Sequence, residues 1–480
     1  MITVTRSLAR QLRATFRRLF NARGSGPALT FTAGPEGLSV RVKSSDAAIE
    51  YLVPGDFSPD TFTIPIEVLD DFDGRKEDPV RLERISKEHV TAEWQDGGVP
   101  QMVRYNALEA VDGFPPLPET FVQNPPSLWH ALKEAGDTTD PDSIRYAIGH
   151  ILLKGATGTI ASTDGRQLLV QSGFEFPWDD QVLVPRSKIF GSAGLSRDQP
   201  VDAGRAGDWV VLRSNPWTVW LAINREGRFP EVERHVPQPG SATARLLIDP
   251  SDAAFLESAL SKLPADETNN WPVTVDLNGS LAIRARPSGQ ARSTELVLAR
   301  SERVGDPIRL NTNRKFLARA LKMGFREVLI YGDKSPVLCQ DEHRQYLWAL
   351  LDSESAIEPS ADAIRIDSAS IGTSVTLAPA THPKKERRIP PVNRVEQTNR
   401  FSPEKVPQRV AARAAVKPRA TSKRRNVADL IEQAETVRSS LRETLVKTNE
   451  LLKALKQHRR ETRAVRSTLA SLRQLQTIGV

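Results

Sequence analysis

A weak internal repeat constrains the fold of this chain more than any other feature of its sequence. The pair Phe114–Pro115 recurs as Phe229–Pro230, 115 residues later. Each pair precedes a run with the apolar spacing of an amphipathic helix, over Leu128–Ala135 and Asp252–Leu263, and a third such run opens the chain at Arg6–Phe20. Recurrence at a fixed period indicates one structural unit used repeatedly, so the pattern predicts three copies.

Shorter elements follow the same period. Each copy has a second helical run after a strand-like run, and strand candidates bounded by turn signals fill the remainder. The second helical runs are Pro65–Phe72, Pro185–Gly191 and Asn313–Gly324, and the strand candidates include Ala28–Thr32, Leu38–Lys43, Gln167–Val170, Trp209–Leu212, Trp217–Ile223, Val273–Leu277 and Val328–Tyr331. Periodicity therefore predicts an α+β protein with a threefold repeat.

Length and composition bound the class of the protein. A chain of 480 residues predicts two to four domains. No apolar run is long enough to span a bilayer, and the N-terminus lacks the signature of a secretory signal. The single cysteine, Cys339, excludes a disulfide within the chain and indicates a reducing compartment. We therefore expect a cytoplasmic protein without membrane contacts.

Charge divides the chain into two parts. Residues up to Glu354 carry a net charge of −6, whereas the remainder carries +13. Such asymmetry is typical of a basic arm that binds nucleic acid or another polyanion, and equally of a tail that is merely solvated, so both interpretations stay open.

The basic C-terminal part has two compositions. Residues 356–425 are rich in Pro, Ser, Ala, Lys and Arg, which predicts a disordered linker. Residues 426–478 place apolar side chains at alternating three- and four-residue spacings, which predicts a long helix. The spacing favours a self-associating coiled coil. Because threonines and His458 interrupt the seam, a lone amphipathic helix that docks on a partner stays an alternative.

The middle of the chain carries an ordered set of motifs. It runs Arg145–Tyr146–Ala147–Ile148–Gly149–His150, then Ser162–Thr163–Asp164–Gly165, then Val184–Pro185–Arg186–Ser187–Lys188, and closes with Gly227–Arg228–Phe229–Pro230. This order resembles the bacterial β sliding clamp (DNA polymerase III subunit beta), with the basic C-terminal part as an added extension. The resemblance implies three tandem clamp domains, over 1–122, 123–240 and 241–355, each with two helices and antiparallel sheets. It further implies a head-to-tail ring of two copies around double-stranded DNA.

Two helical runs carry basic stripes. Arg6, Arg10, Arg13 and Arg17 share one helix face, as do Lys315, Arg319 and Lys322. The resemblance places such helices around the central hole, where they would bind phosphates without reading bases. A charged face that is merely solvated is the alternative. The corresponding run of the second copy, with Arg186 and Lys188, is mildly basic, and that of the first copy, Pro65–Asp73, is acidic and would repel DNA if it faced inward.

The resemblance also implies an apolar pocket for a short peptide with Gln and bulky apolar residues. By motif match its wall comprises Ile148, Thr163, Gly165, Arg166, Gln167, Leu168, Pro237, Leu347 and Ala349. Two departures from the family, Arg166–Gln167 after the Thr-Asp-Gly motif and Ala349–Leu350–Leu351 near the end of the third copy, predict altered or weak peptide binding. A purely structural turn at Thr163–Gly165 is the alternative.

No nucleophile elbow, phosphate-binding loop, dinucleotide fingerprint or zinc-ligand spacing occurs in the sequence. We therefore expect no catalysis, no cofactor and no metal.

The function that the resemblance predicts is a clamp-like processivity or tethering factor associated with the nucleoid. Its predicted partners are DNA, a second copy, and a polymerase, clamp loader or repair factors. The alternative is a diverged paralogue that serves as a DNA-associated scaffold organised by its C-terminal coiled coil.

Overall fold

The computed structural model describes residues 1–20, 26–109, 113–143, 147–195, 198–264 and 270–371. They belong to one compact unit that spans Met1–His382. The predicted coiled coil over 426–478 and the predicted linker beyond residue 371 lie outside the described residues.

Three repeats of one plan make up the described part, as the sequence period predicts. In the first repeat the elements are β1 (Ile2–Thr5), α1 (Arg6–Phe20), β2 (Ala28–Gly34), β3 (Gly37–Lys43), β4 (Ala47–Val53), β5 (Asp60–Pro65), α2 (Leu69–Phe72), β6 (Pro79–Arg84), β7 (His89–Asp96) and β8 (Val99–Asn106). In the second they are β9 (Phe121–Asn124), α3 (Ser127–Thr138), β10 (His150–Lys154), β11 (Thr159–Thr163), β12 (Gln167–Gln171), β13 (Gln181–Pro185), a 3₁₀ turn at Lys188–Gly191, β14 (Val201–Ala206), β15 (Trp209–Ser214) and β16 (Trp217–Ala222).

The third repeat follows the same order, with one extra strand, and then adds two elements at its end. Its members are β17 (Ala244–Leu247), α4 (Pro250–Ala259), β18 (Pro272–Asp276), β19 (Ala282–Ala285), β20 (Thr294–Val297), β21 (Glu302–Gly305), β22 (Arg309–Asn313), α5 (Arg314–Lys322), β23 (Glu327–Ile330), β24 (Val337–Gln340) and β25 (Arg344–Trp348). The extra strand is β21, before β22, and the elements added at the end are β26 (Ile364–Asp367) and α6 (Ser368–Ile371).

Local sequence explains where the helices lie. In α1, Ala9, Leu12 and Phe16 recur at three- and four-residue spacings and are buried, which gives the helix one apolar face. Helix α4 begins after Asp249, whose Oδ1 accepts a hydrogen bond from the Ser251 N–H at 2.7 Å, and α5 is capped in the same way by Asn313.

Each repeat contains two sheets, and the sheets run across the repeat boundaries. We call the sheet that follows the first helix of each repeat its first sheet, and the other its second sheet. In chain order, the first sheets are β5-β2-β3-β4, β13-β10-β11-β12 and β22-β18-β19-β20. The second sheets are β1-β6-β7-β8, β9-β14-β15-β16 and β17-β23-β24-β25, with β21 beside β17. Strand β4 pairs antiparallel with β16 of the second repeat, and β12 pairs antiparallel with β25 of the third. Backbone hydrogen bonds therefore join successive repeats into continuous sheets of eight and nine strands.

The core crosses the first of these junctions. Trp217, at the start of β16, is fully buried and packs its ring against Tyr51 of β4 at 4.7 Å and against Phe16 of α1 at 6.0 Å, between ring centroids. Most core residues of the first two repeats form a single apolar cluster, whereas the third repeat has its own, which includes Leu169 of β12. Helix, sheet and neighbouring repeat thus stabilise one another through shared apolar contacts.

Residues 364–371, which belong to the predicted disordered linker, form a strand and a short helix instead. Strand β26 pairs with β20, and Ser368 of α6 is buried. The reason is tertiary, because an exposed edge of the third-repeat sheet supplies backbone partners that the local composition does not reveal. The domain boundaries at residues 122, 240 and 355 stay a prediction.

A buried ion network lies in the same sheet. Arg284 of β19 is 3% exposed and its guanidinium contacts Asp276 of β18 and Glu295 of β20, with its Nε 2.6 Å from a Glu295 oxygen. Arg309 donates a second hydrogen bond to Asp276 at 3.1 Å. The network joins the four neighbouring strands β22, β18, β19 and β20.

Replacing Arg284 by Leu should destabilise the fold strongly, because two carboxylates would be left buried with less compensating charge. We expect a loss of about 3–5 kcal/mol in the free energy of unfolding, measured by urea denaturation. The exposed Arg286 offers a matched control, and Arg286→Leu should change stability by less than about 0.5 kcal/mol. Equal losses in the two variants would contradict the structural role of the network.

Candidate nucleic-acid interface and peptide pocket

The basic stripe of α1 is only partly available to a ligand. The Arg6 side chain is 12% exposed, and its guanidinium contacts the Asp96 carboxylate at 2.9 Å and the backbone oxygens of Gln95 and Asp73 at 2.9 and 3.1 Å. Arg6 therefore fastens the start of α1 to the sheet of β6 and β7. The Arg6 guanidinium thus has partners within the protein, and its role in DNA binding stays a prediction.

The acidic run of the first repeat pairs with the same stripe. Arg13 contacts Asp73 at 2.6 Å and also Asp70, and Arg17 contacts Asp70 at 2.5 Å. These carboxylates are thus partners of α1 instead of a bare repulsive surface. Two cations of the stripe are neutralised, whereas Arg10 on the same helix is exposed. All three pairs are partly solvated, so each contributes little to stability.

Basic side chains from the first two repeats meet where α1 approaches the 3₁₀ turn of the second. Arg18 donates from Nη1 to the backbone oxygen of Gly191 at 2.6 Å. Arg18, Lys133, Arg186 and Lys188 line one cavity of about 330 Å³. The structure thus brings the predicted Arg186 and Lys188 together with two cations that the sequence analysis missed. Arg18 follows Arg17 directly in the sequence, but Lys133 lies on a different helix and no local pattern connects it to them.

On α5 the predicted cations have different roles. Arg319 reaches α3 of the second repeat and donates to the backbone oxygens of Glu134, at 2.5 Å, and of Asp137. These carbonyls belong to the last turn of α3, so Arg319 caps that helix. Lys315 lies over the Trp271 ring, 4.4 Å from its centroid, and Lys322 is exposed. Arg319 therefore joins two repeats, while Lys315 and Lys322 border a cleft of about 990 Å³ between α3 and α5.

The predicted pocket residues of the second repeat lie on the turn between β11 and β12. Asp164 Oδ1 accepts hydrogen bonds from the backbone N–H groups of Arg166 and Gln167 at 2.8 and 2.9 Å. Thr163 Oγ1 accepts from the Gly165 N–H at 3.0 Å. Gly165 has φ +83°, which explains glycine at this position. These contacts support the structural-turn interpretation; a peptide-binding role stays a prediction.

The Gln167 side chain faces the interior of the protein, and its peptide-binding role stays a prediction. Its side-chain oxygen accepts a hydrogen bond from the Tyr346 hydroxyl at 2.6 Å, and its amide nitrogen donates to Asp164 at 2.9 Å. Burial raises the pKa of Tyr346, so the hydroxyl stays protonated and donates. The contact connects β12 to β25 across the second junction.

The apolar pair of the predicted pocket is covered. Leu168 and Leu347 are opposite each other in β12 and β25 and are 3% and 6% exposed. Val232 and Val236, from the segment that enters the third repeat, pack against this cluster. Of the other predicted residues, Ile148 and Pro237 are half-buried, and Gly165, Arg166 and Ala349 are exposed. The structure thus brings Leu168 and Leu347 together, but their side chains are buried and present little surface to a ligand.

Other kinds of site are not evident in the described part of the chain. Among these residues, no group of three His, Cys, Asp or Glu side chains is arranged to hold a metal ion. No helix in the described ranges is both long and apolar enough to cross a membrane.

Comparison with known proteins decides the fold. No protein-family model and no curated protein matches this chain. Among solved structures, the DNA polymerase sliding clamps of Bacillus subtilis and Pseudomonas aeruginosa align with TM-scores of 0.62 and 0.61 at 16% and 18% identity. The DNA polymerase III beta chain of Streptococcus pneumoniae aligns with a TM-score of 0.59 at 14% identity. The chain has the fold of a bacterial sliding clamp. Each alignment covers 73% of this chain and 98% or 99% of the clamp.

Loss of the Tyr346 hydroxyl should weaken the second junction of this clamp fold. Tyr346→Phe leaves a buried amide oxygen without its donor, which costs about 1–3 kcal/mol. Tyr331→Phe is the matched control, because the Tyr331 hydroxyl is buried without a hydrogen-bond partner among the described residues. Urea denaturation should show destabilisation in the first variant and almost none in the second. The reverse order would contradict the role of Tyr346.

Proposed function

We propose that the chain is a non-catalytic, clamp-like tethering factor, two copies of which close head-to-tail around duplex DNA. The proposal rests on the junction between successive repeats, which occurs twice in the same form. The same antiparallel pairing of a first-sheet edge with a second-sheet edge joins the first repeat to the second and the second to the third. A junction that works twice within a chain supports a third between chains, with β20 of one copy and β8 of the other as the pair.

Helix contacts repeat along with the strands. At the first junction Arg18 of α1 contacts the short helical turn of the second repeat, and at the second junction Arg319 of α5 contacts α3. In each case the first helix of one repeat lies beside the second helix of the next. This regular succession supports a layer of helices that follows the sheets from repeat to repeat, which is the arrangement a ring requires.

The DNA-binding surface that we propose consists of exposed cations on this helical layer: Arg10, Arg18, Arg186, Lys188, Lys315 and Lys322. Arg6, Arg13, Arg17 and Arg319 instead serve the fold through the contacts described above. Such a surface would bind the phosphate backbone without base contacts, and its affinity would depend steeply on salt.

The double charge reversal Arg10→Glu/Lys322→Glu should therefore weaken binding to a duplex of arbitrary sequence. Losing two phosphate contacts lowers the slope of log affinity against log salt by about 2, as fluorescence anisotropy would show. Lys87→Glu/Arg286→Glu is the matched control, with the same change in net charge at two exposed hairpin positions. Equal losses in both variants would show that net charge alone governs binding and would overturn the proposed surface.

A second candidate is a clamp-fold scaffold that does not recruit polymerase or repair factors through the pocket. The covered state of Leu168 and Leu347 favours it, because a peptide needs apolar surface to bury. The C-terminal part would then provide its partner contacts.

Titration with a labelled peptide that carries Gln and bulky apolar residues separates the two candidates. A recruiting clamp predicts saturable micromolar binding, which Ile148→Ser should abolish and Ile308→Ser, at a half-buried site of the third repeat, should leave intact. Absence of binding by the unmodified protein would favour the scaffold.

A further inference from the structure

Strand β26 covers an edge that the repeat would otherwise leave open. Strands β4, β12 and β20 are the last strands of the three first sheets, and β16, β25 and β8 end the second sheets. Because β4 pairs with β16 and β12 with β25, the next partner of β20 in the series is a β8 strand from a following repeat. In this chain β26 takes that place.

The pairing of β26 differs from that of the two repeat junctions. It is parallel, whereas both junctions are antiparallel, and it joins four residue pairs, from Thr294 with Ile364 to Val297 with Asp367, whereas each junction joins five. Ile364 and Ile366 are 45% and 38% exposed, so the strand buries little apolar surface. A short parallel strand with exposed side chains is held less tightly than a junction strand.

Specific contacts nevertheless fasten both ends of this segment, which we name the strap (residues 358–368). At its start Glu358 forms an ion pair with Arg309, and the backbone oxygen of Asp362 accepts a hydrogen bond from Arg292 Nε at 2.7 Å. The Ile364 N–H donates to the Ser293 oxygen at 2.8 Å. At its end Ser368 Oγ accepts from the Ala299 N–H at 3.0 Å. The strap is therefore placed on the edge by contacts on both sides of β26.

The complementary edge is exposed. Strand β8 ends its sheet beside β7, and Val99 and Met102 on it are 58% and 69% exposed. Exposed apolar side chains on an edge strand suit pairing with another strand. Among the described residues, one edge of this possible junction is therefore open and the other is covered.

We propose that the strap is a cis-acting cover of the β20 edge, and that it must leave this edge before β8 of a second copy can pair there and close the ring. The proposal rests on the clamp-like function proposed above. Competition explains how so weak a strand can act as a cover. A tethered segment acts at an effective concentration on the order of millimolar, so it excludes a second copy present at micromolar concentration. Anything that draws the C-terminal part away would uncover the edge.

The test compares three variants of the full chain. Ile364→Pro removes the backbone donor to Ser293 and should release the strap. Ala361→Pro is the matched control, because Ala361 follows Ser360 in a turn closed by the Ala363 N–H to Ser360 oxygen bond, a position that proline favours. Thr294→Cys/Ile364→Cys places a disulfide between paired residues and should lock the strap under oxidising conditions.

Hydrogen exchange of the β8 amides is the primary readout, because self-association elsewhere in the chain would not protect them. In the released variant we expect protection of β8 that rises with protein concentration, at a dissociation constant at least about tenfold below that of the unmodified protein. The proline control should match the unmodified protein, and the oxidised lock should show no such protection until it is reduced.

Equal protection of β8 in the released and locked variants would overturn the proposal. DNA binding by the same samples separates this failure from failure of the proposed function. If the released variant pairs through β8 but has no salt-dependent affinity for duplex DNA, the strap proposal stands and the DNA-encircling function is refuted. A released variant that binds DNA without protecting β8 would refute the strap and the closure of the ring through β20 and β8, and would leave only the proposed DNA-binding surface standing.

Discussion

Backbone pairing between edge strands is the constraint on which the architecture depends. An edge strand exposes unpaired N–H and carbonyl groups, and this fold satisfies them by joining β4 to β16 and β12 to β25. Apolar packing follows from that pairing, because Trp217 and Tyr51, and Leu168 and Leu347, become neighbours only when the strands are in register. The repeats are therefore stabilised across their boundaries as well as within each unit.

Electrostatic compensation shapes the helical layer in the same way. From the sequence alone, the acidic run around Asp70 and Asp73 is expected to repel DNA. In the structure it pairs with Arg13 and Arg17 and lowers the positive charge of α1. Arg319 is likewise directed to the end of α3. On the DNA-binding surface that we propose, a moderate and uneven positive charge would make phosphate contacts few and salt-sensitive, which would suit movement along DNA better than tight static binding.

The sequence predicted the repeat, the α+β class and α1 over Arg6–Phe20, because apolar periodicity and turn residues are local signals. It did not predict that Arg6 is anchored, since its partners Asp73 and Asp96 lie 67 and 90 residues away. It likewise missed β26. Ile364 and Ile366 alternate with charged residues in a short polar segment, and only the edge of β20, about 70 residues earlier, makes that segment a strand. The failures thus share one cause, a distant partner that local composition does not encode.

A cover on one edge is enough to prevent both closed rings and open filaments, the two products of head-to-tail pairing. Contacts between two different surfaces close into a ring if the rotation allows and otherwise continue into open filaments, and each needs β20 and β8 free at once. With the strap on β20, the exposed β8 finds no complementary strand on another copy. A cover on β20 also needs fewer residues than a cover on β8, because β20 has four residues and β8 has eight. The open edge with its exposed Val99 and Met102 is therefore compatible with a single copy in solution while the strap is in place.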